Sequence, residues 1–507
     1  MTIPYIDNFL NKITMYRLVF YCLIFLLVAG FGLGLFGLLP FKAMDLLFSS
    51  LVITLMCLFV NNIFASVFKA PSNTESVYIT AFILALIVSP AKSLNQFPFL
   101  LFVSSLGIAS KYLLAINKKH VFNPAAFAVV AAAFLVNKSA SWWIGTLYMA
   151  PFVLAIGLLI TRKIQRTSLI VSFFVTSIAC TLLFIFFTSS QSFLVLKEAV
   201  LYSPLLFFAF VMLTEPMTTP PTKPLQILYG GLVGFLFVPF LHIANFYISP
   251  ELALILGNVF SYIVSPKDKL ILQLKEKAPI GHNTYQFVFL PNKKLHFVPG
   301  QYMEWTLGHT KQDTRGIRRY FTVASSPTEN QILIGVKFYE KPSSFKRVLE
   351  SLQQNDTIVA SQLAGDFTLP KDKNKKLVFL AGGIGVTPFR SMIKYLIDTN
   401  ERRDIIMFYS NKHASDVCYK EIFDQAQTQL GIPIIYTLEN TDSVPENFPY
   451  IPGFITKEMI MQQVPDYKER MFYISGPRSM ILSFKKTLRQ IGVHGSHIIT
   501  DFFPGFA

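Results

Sequence analysis

Several short stretches hold residues whose types and spacing suit chemistry. "GGIGVTP" (382–388) sets Gly382, Gly383 and Gly385 after an apolar run and Thr387–Pro388 at the start of a helical pattern. Glycines there allow a tight turn and close backbone approach, and the helix N-terminus beyond offers N–H groups to a pyrophosphate. "PSSF" (342–345) places Ser343 and Ser344 where they cap a helix or meet an anion. "RRYFT" (318–322) offers a guanidinium that can fork onto phosphate oxygens, aromatic faces for a flat ring, and a short hydroxyl. "FVMLTEPMTTPPTKP" (210–224) ends an apolar segment in Glu215, Thr218, Thr219 and four prolines, while "HVFNPAAFAVV" (120–130) puts Asn123 at the head of another. Ionisable and polar groups at membrane depth are expensive and usually face a partner or a cavity. The plainer reading of Glu215 is a proline-stopped helix end with a solvated carboxylate, and of the serines an ordinary N-cap.

These residues sit in a chain of 507 residues, 52% hydrophobic and 15% charged, with 50 phenylalanines and a net charge of +16. Residues 1–264 hold 14 Lys/Arg and 6 Asp/Glu; residues 265–507 hold 31 and 23. Each part carries about +8, but the second is far more densely charged, so a membrane half precedes a soluble half. No clustered arginine stripe points to nucleic acid. The four cysteines lie far apart with no C-x-x-C pair, so neither a metal site nor disulfides are expected. Only His120 and His242 occur in the membrane half, and no pair stacks along one helix as a haem would need.

Ten apolar stretches are candidate spans: 16–39, 46–67, 76–91, 96–115, 122–137, 142–161, 168–188, 194–213, 225–246 and 250–264. Lys/Arg concentrate on the side shared by both termini, which predicts a multi-pass cell-membrane protein with both termini and the soluble half in the cytoplasm. "SNTESVYITAF" (72–82) and "LTEPMTTPP" (213–221) each set a Thr-Glu pair beside a span, and Asn123 is echoed by Asn258 in "ALILGNVFSYI". Such paired interruptions suggest an inverted repeat around a site near the midplane.

From Pro266 the pattern changes. "KDKLILQLKEKAPIGHNTYQFVFL", "QYMEWTL", "RRYFTVAS", "QILIGVKF" and "DTIVASQL" alternate as short strands and predict a small antiparallel β-barrel. After "KDKNKK", buried strands alternate with helices, which predicts a doubly wound parallel sheet. The expected domains are 1–265 (transmembrane), 266–372 (β-barrel) and 373–507 (α/β).

"KKHVFNPAAFA" and "MLTEPMTTPPTKPLQILYGGLVG" resemble signature segments of the NqrB/RnfD family, membrane electron carriers of the sodium-pumping NADH:quinone reductase and of the Rnf complex. Glu215 stands where that family usually has aspartate, and its Ser-Gly-Ala-Thr site for covalent FMN does not occur in this sequence. Any membrane flavin, FMN or riboflavin, is therefore expected to be non-covalent. "RYFT", "PSSF", "GGIGVTP", "SGPRSM" (475–480) and "TDFFPGF" (500–506) resemble, in order and spacing, the ferredoxin–NADP reductase superfamily. The resemblance implies FAD held by Arg319 at the pyrophosphate, Phe321 against the isoalloxazine and Thr322 near its N5. It also implies FAD contacts from Tyr320, Val336, Lys337, Ser343 and Ser344. It assigns the nicotinamide dinucleotide to Gly382, Gly383, Gly385, Thr387, Pro388, Ser410, Asn411, Ser475, Gly476 and Pro477. Asp501 falls where the superfamily often has glutamate, and Phe503 or Phe506 shields the flavin.

The expected function is a membrane flavoenzyme. A reduced nicotinamide, NADH rather than NADPH because "NKHASDVCYKE" after the second parallel strand offers no arginine for a 2′-phosphate, reduces FAD. Electrons then pass to a second flavin or a quinone at Asn123, Glu215, Thr218 and Thr219, and on to an extracytoplasmic acceptor or a quinone. A transporter or anchor joined to a flavin reductase is the alternative.

Overall fold

The computed structural model describes residues 6, 9–10, 13–68, 74–116, 119–188, 197, 202–238, 241–243, 246–266, 269–309, 313 and 316–501. The chain divides into two compact units, Met1–Ser265 and Pro266–Phe503.

The first unit is helical. Among the described residues its helices include α1 (Met15–Leu35), α2 (Ala43–Val67), α3 (Thr74–Ile87), α4 (Phe97–Leu113), α5 (Pro124–Val136), α6 (Ala150–Ile164), α7 (Thr167–Thr188), α8 (Leu205–Phe207), α9 (Lys223–Leu236) and α10 (Pro250–Val264). Each of the ten expected stretches overlaps one of them. Among the described residues, length and composition suffice for a crossing only in α1, α2 and α7. Proline explains much of the shortness: it stands in the first turn of α4, α5, α6, α9 and α10, where its missing N–H costs nothing and its fixed φ starts a helix. The eighth segment departs furthest from a span. Three residues of α-helix pass into a π-turn, Phe208–Met212, a rare form frequent at functional sites, which delivers the chain to Thr214 and Glu215. Lys163, which the sequence suggests as a surface positive charge, is buried and donates to the Leu10 carbonyl at 2.7 Å.

The second unit has two six-stranded sheets. The first uses β1 (Lys269–Gly281), β2 (Thr284–Pro291), β3 (Tyr302–Thr306), β4 (Arg318–Thr322), β5 (Ile332–Lys337) and β6 (Thr357–Ala364), in the order β4-β3-β6-β1-β2-β5. Helix α11 (Ser344–Ser351) follows β5. The expected barrel is a curled antiparallel sheet, closed beyond β4 by the bond from Ala324 N to Leu333 O on β5, 2.8 Å. Its interior holds Phe287, Phe289, Trp305 and Phe345, all fully buried. The second sheet is parallel: β7 (Leu377–Gly382), β8 (Ile405–Asn411), β9 (Ile434–Leu438), β10 (Ile451–Pro452), β11 (Met471–Ser475) and β12 (Ile498–Thr500), in the order β10-β9-β8-β7-β11-β12. Helices α12 (Thr387–Asp398), α13 (Lys420–Leu430), α14 (Lys457–Gln463) and α15 (Arg478–Gln490) alternate with its strands. Apolar side chains pack on both of its faces, which is why these strands read as continuous apolar runs.

A polar clamp joins the sheets. Arg390 of α12, 5% exposed, pairs through both terminal nitrogens with Glu329 (Nη2–Oε1 2.9 Å) and donates to the Ala324 carbonyl at 3.1 Å. Ser391 donates to the Ser325 carbonyl at 2.6 Å. Breaking such a pair from one side strands a buried charge. Arg390→Ala should therefore cost about 3–5 kcal/mol and lower the urea midpoint of this unit's transition. The double replacement Glu329→Leu/Arg390→Met should recover most of the loss. An unchanged midpoint in Arg390→Ala would show the clamp to be dispensable.

Candidate functional site

In the first unit, Glu215 is the centre of a polar cluster. Its Oε1 meets His120 Nε2 at 3.2 Å, and its Oε2 accepts from Asn123 Nδ2 at 2.9 Å and from the Thr218 hydroxyl at 3.4 Å. Thr219 donates to the Glu215 carbonyl at 3.1 Å. Asn123 also caps α5, accepting from Ala126 N at 3.0 Å, and its own N–H donates to Asn258 Oδ1 of α10 at 2.8 Å. The other end of Asn258 donates to the hydroxyl of Tyr229 at 3.1 Å. All four expected residues are thus brought together, and Asn123, Thr218 and Thr219 are buried. Beside them runs a small cleft of about 50 Å³, lined by Asn123, Thr214 and Glu215 and by Tyr16, Ser76 and Thr80. The two stretches that echo each other around a Thr-Glu pair therefore meet at one cleft, and the two asparagine echoes bond directly to each other. Lys111 of α4 adds a half-buried amine that donates to Ser76, 2.7 Å to its carbonyl and 3.0 Å to its hydroxyl.

The second unit gathers its own set. Register along β4 against β3 pairs Trp305 with Arg319 and Met303 with Phe321, so alternation puts Arg319 and Phe321 on one face and Tyr320 and Thr322 on the other. Arg319 lies 5.3 Å from the centre of the Phe345 ring, and Phe321 lies 6.0 Å from it. Both therefore converge on α11, where Ser343 accepts from Lys346 N. Tyr320 instead donates to the buried Glu304 at 3.2 Å. Val336 is buried on β5, and Lys337 reaches Asp416 of the other sheet at 2.7 Å.

The chain itself tests whether these residues suit the diphosphate of a dinucleotide. The Asp313 carboxylate accepts from Ser344 N at 2.9 Å and stands 3.7 Å from the Arg319 guanidinium. An oxyanion thus already bridges the helix N-terminus and the arginine, which fits the FAD expectation.

At the carboxyl edge of the parallel sheet, Gly382, Asn411 and Ser475 end the neighbouring strands β7, β8 and β11, where open α/β sheets bind ligands. Gly383 takes φ +52°. A Cβ on Gly385 would lie 2.6 Å from the Gly476 backbone, so the loops "GGIG" and "SGPR" pack main chain to main chain. Among the described residues, the Thr437 hydroxyl beside Ser410 is buried without a hydrogen-bond partner, a polar group at the strand ends left for water or a ligand to satisfy. Ser475 donates to Asp501 at 3.0 Å, and Thr387 opens α12 followed by Pro388. Pro477 precedes α15 as its cap. A Cβ on Gly335 of β5 would lie 3.0 Å from the Thr387 methyl, so β5 and the start of α12 pack closely. Burial pushes the Cys418 thiol up to about 11, which keeps it unreactive. Phe503 and Phe506 lie outside the described residues. Residues that join these clusters but were not singled out from the sequence as site residues are His120, Lys111 and Tyr229 in the first unit, and Asp313 and Glu304 in the second.

Residues 144–267 match the NQR2, RnfD, RnfE family. Residues 271–368 match the oxidoreductase FAD-binding domain and residues 379–486 the oxidoreductase NAD-binding domain. The chain is 27% identical over 221 residues to the glycine betaine monooxygenase reductase subunit of Chromohalobacter salexigens, covering 43% of this chain and 59% of that protein. It is 27% identical over 250 residues to NADH-cytochrome b5 reductase 1 of Dictyostelium discoideum, covering 48% and 85%. It is also 27% identical over 223 residues to the flavohemoprotein of Bacillus anthracis, covering 42% and 54%. The chain thus spans less than two thirds of two of these three relatives.

Gly385→Val should force the two glycine loops apart. NADH-dependent reduction of ferricyanide should fall at least about tenfold, the equivalent of roughly 1.4 kcal/mol, while the FAD content of the purified protein stays at the wild-type level. Equal loss of FAD would place the defect in folding instead.

Proposed function

We propose, from an FAD- and NAD-binding oxidoreductase module joined in one chain to an NQR2/RnfD/RnfE-type membrane domain, that the protein carries electrons from NADH into the membrane. The observation that carries this reading is the Glu215 cluster: a carboxylate held by His120, Asn123 and Thr218 beside a cleft, in the same chain as a hydride-accepting module. Bound FAD supplies the switch from hydride to electron chemistry. The protein's own residues do the positioning. Arg319 and the first amides of α11 hold the diphosphate, Phe321 offers its face to the ring, and Thr322 holds its N5 edge. The glycine loops, Ser410 and Asn411 seat the nicotinamide dinucleotide. Asp501 orients Ser475, and Thr387 faces the flavin strand. Asn123, Glu215, Thr218 and Thr219 hold a second, non-covalent carrier, a flavin (FMN or riboflavin) or a quinone. The final acceptor is extracytoplasmic or is a quinone in the bilayer. The chain lies in the cell membrane as a ten-span protein with its termini and its oxidoreductase module in the cytoplasm.

Arg319→Ala should weaken FAD binding by about ten- to a hundredfold, the loss of charged hydrogen bonds worth about 1.5–3 kcal/mol, read by titrating the flavin-stripped protein; unaltered affinity would remove Arg319 from the site. Asn123→Leu and Thr218→Val/Thr219→Val should leave NADH:ferricyanide activity intact but cut electron delivery to the native membrane acceptor about tenfold or more. Wild-type delivery would make the cluster a helix end, and the membrane unit an anchor or transporter. With Cys180 replaced by serine, cysteines at the exposed positions Gln165 and Lys138 should label from opposite sides of the membrane, Gln165 from the cytoplasm. Labelling of both from one side contradicts ten spans.

A further inference from the structure

We infer that His120 and Glu215 form a proton relay into the membrane cleft, so that the carrier seated there is charged with protons from the side on which His120 opens. The inference rests on the reading of that cleft as a redox site. His120 lies in the two-residue ladder that joins α4 to α5, paired with Ala115, three residues before the cap Asn123. Its side chain keeps 15% exposure, that of Glu215 24%. Both side chains are thus partly exposed, the carboxylate more than the imidazole, and one 3.2 Å contact joins the imidazole to the carboxylate that lines the cleft. Asn123 and Thr218 fix the second oxygen of Glu215, which holds the carboxylate in place while its first oxygen faces His120. Other charged and titratable groups also surround Glu215. Lys111 of α4, which bonds to Ser76, and Tyr229 of α9, which bonds to Asn258, both interact electrostatically with Glu215, and Arg166 between α6 and α7 lies 3.5 Å from the Thr214 carbonyl. His120 is the group whose ring touches the Glu215 carboxylate.

The chemistry that needs such a relay is the two-electron, two-proton reduction of a conjugated cyclic carbonyl, flavin-like or quinone-like. The net change is NADH + H⁺ + carrier → NAD⁺ + dihydro-carrier. Electrons travel alone into the membrane unit, so both protons bound by the carrier must enter at its own site. The imidazolium of His120 passes its N–H proton to Glu215. The Glu215 O–H bond then breaks as an N–H or O–H bond forms on the reduced ring, and His120 takes the next proton from water. Repeating the cycle once delivers the second proton. Glu215 is the group that touches the carrier, and His120 acts through it.

The full-length protein in detergent, with menadione as a quinone probe, gives the test. Wild-type NADH:menadione activity should fall as pH rises. His120→Ala should be at least about tenfold slower with a flat pH profile, and added imidazole should restore both rate and slope. NADH:ferricyanide activity should be unchanged in the variant, which reports an intact oxidoreductase module. Reduction at an electrode gives a readout independent of NADH: a protonated-carboxyl infrared band should change on reduction in the wild type and be missing in Glu215→Gln. The band change in the absence of menadione marks a resident flavin-like carrier, and its appearance only with menadione marks a quinone site. A His120→Ala protein with wild-type pH dependence overturns the relay even if Glu215→Gln blocks transfer, which would leave the redox site standing. Wild-type transfer in both variants overturns the site as well.

Discussion

A carboxylate set among apolar helices has to be held, and the first unit is arranged around holding one. Glu215 would be costly at membrane depth without partners, and the chain answers with groups from four separate places: the ladder before α5, the cap of α5, its own following turn and, through the Asn123 N–H, α10. Two structural oddities serve the same end. The π-turn at Phe208–Met212 brings the chain out of its helix at Thr214–Glu215, and Pro124 starts α5 so that Asn123 keeps its side chain for capping and for Glu215 at once. Were the cluster only a helix terminus, a threonine or asparagine alone would suffice to cap it. A glutamate bound by three side chains and open to a cleft is more than a cap requires.

The second unit obeys a different constraint, the spacing of two nucleotides. Its sheets meet where Gly335 touches Thr387, and the Arg390–Glu329 clamp with the Ser391–Ser325 contact keeps that meeting point rigid. Hydride transfer depends on separation at the ångström scale, so a buried ion pair with little to offer in net stability has a reason to exist in fixing geometry. Asp313 shows the same economy beside Arg319, its carboxylate accepting from the first amide of α11.

Much of this was legible in the sequence because it is local. Alternation marked all six strands of the curled sheet, glycine and proline marked the loops at Gly382–Pro388 and Ser475–Pro477, and proline marked the helix starts. Asn123, Glu215, Thr218 and Thr219 were found from their polarity within apolar surroundings. What could not be read is what contacts make. His120 and Glu215 are 95 residues apart and Asn123 and Asn258 are 135 apart; Asn258 stood out only as an echo, and His120 only as a histidine beside a motif. The π-turn has no sequence signature, Lys163 reads as a surface charge but is buried, and alternation along β4 separates Tyr320 from Arg319 although both belong to one short motif. The barrel was right in its strands and incomplete in its closure, since bonds joining Ala324 and Ser325 to Leu333 stand where a full ladder was expected.

Whether the membrane unit carries a redox group of its own decides between an electron carrier and an anchor. Extraction of the detergent-purified full-length chain, with counting of every flavin and quinone per polypeptide, tests this most directly. One FAD and one further carrier per chain are expected, the second lost in Glu215→Leu while the FAD remains. One FAD and nothing else, in wild type and variant alike, would contradict a second redox site.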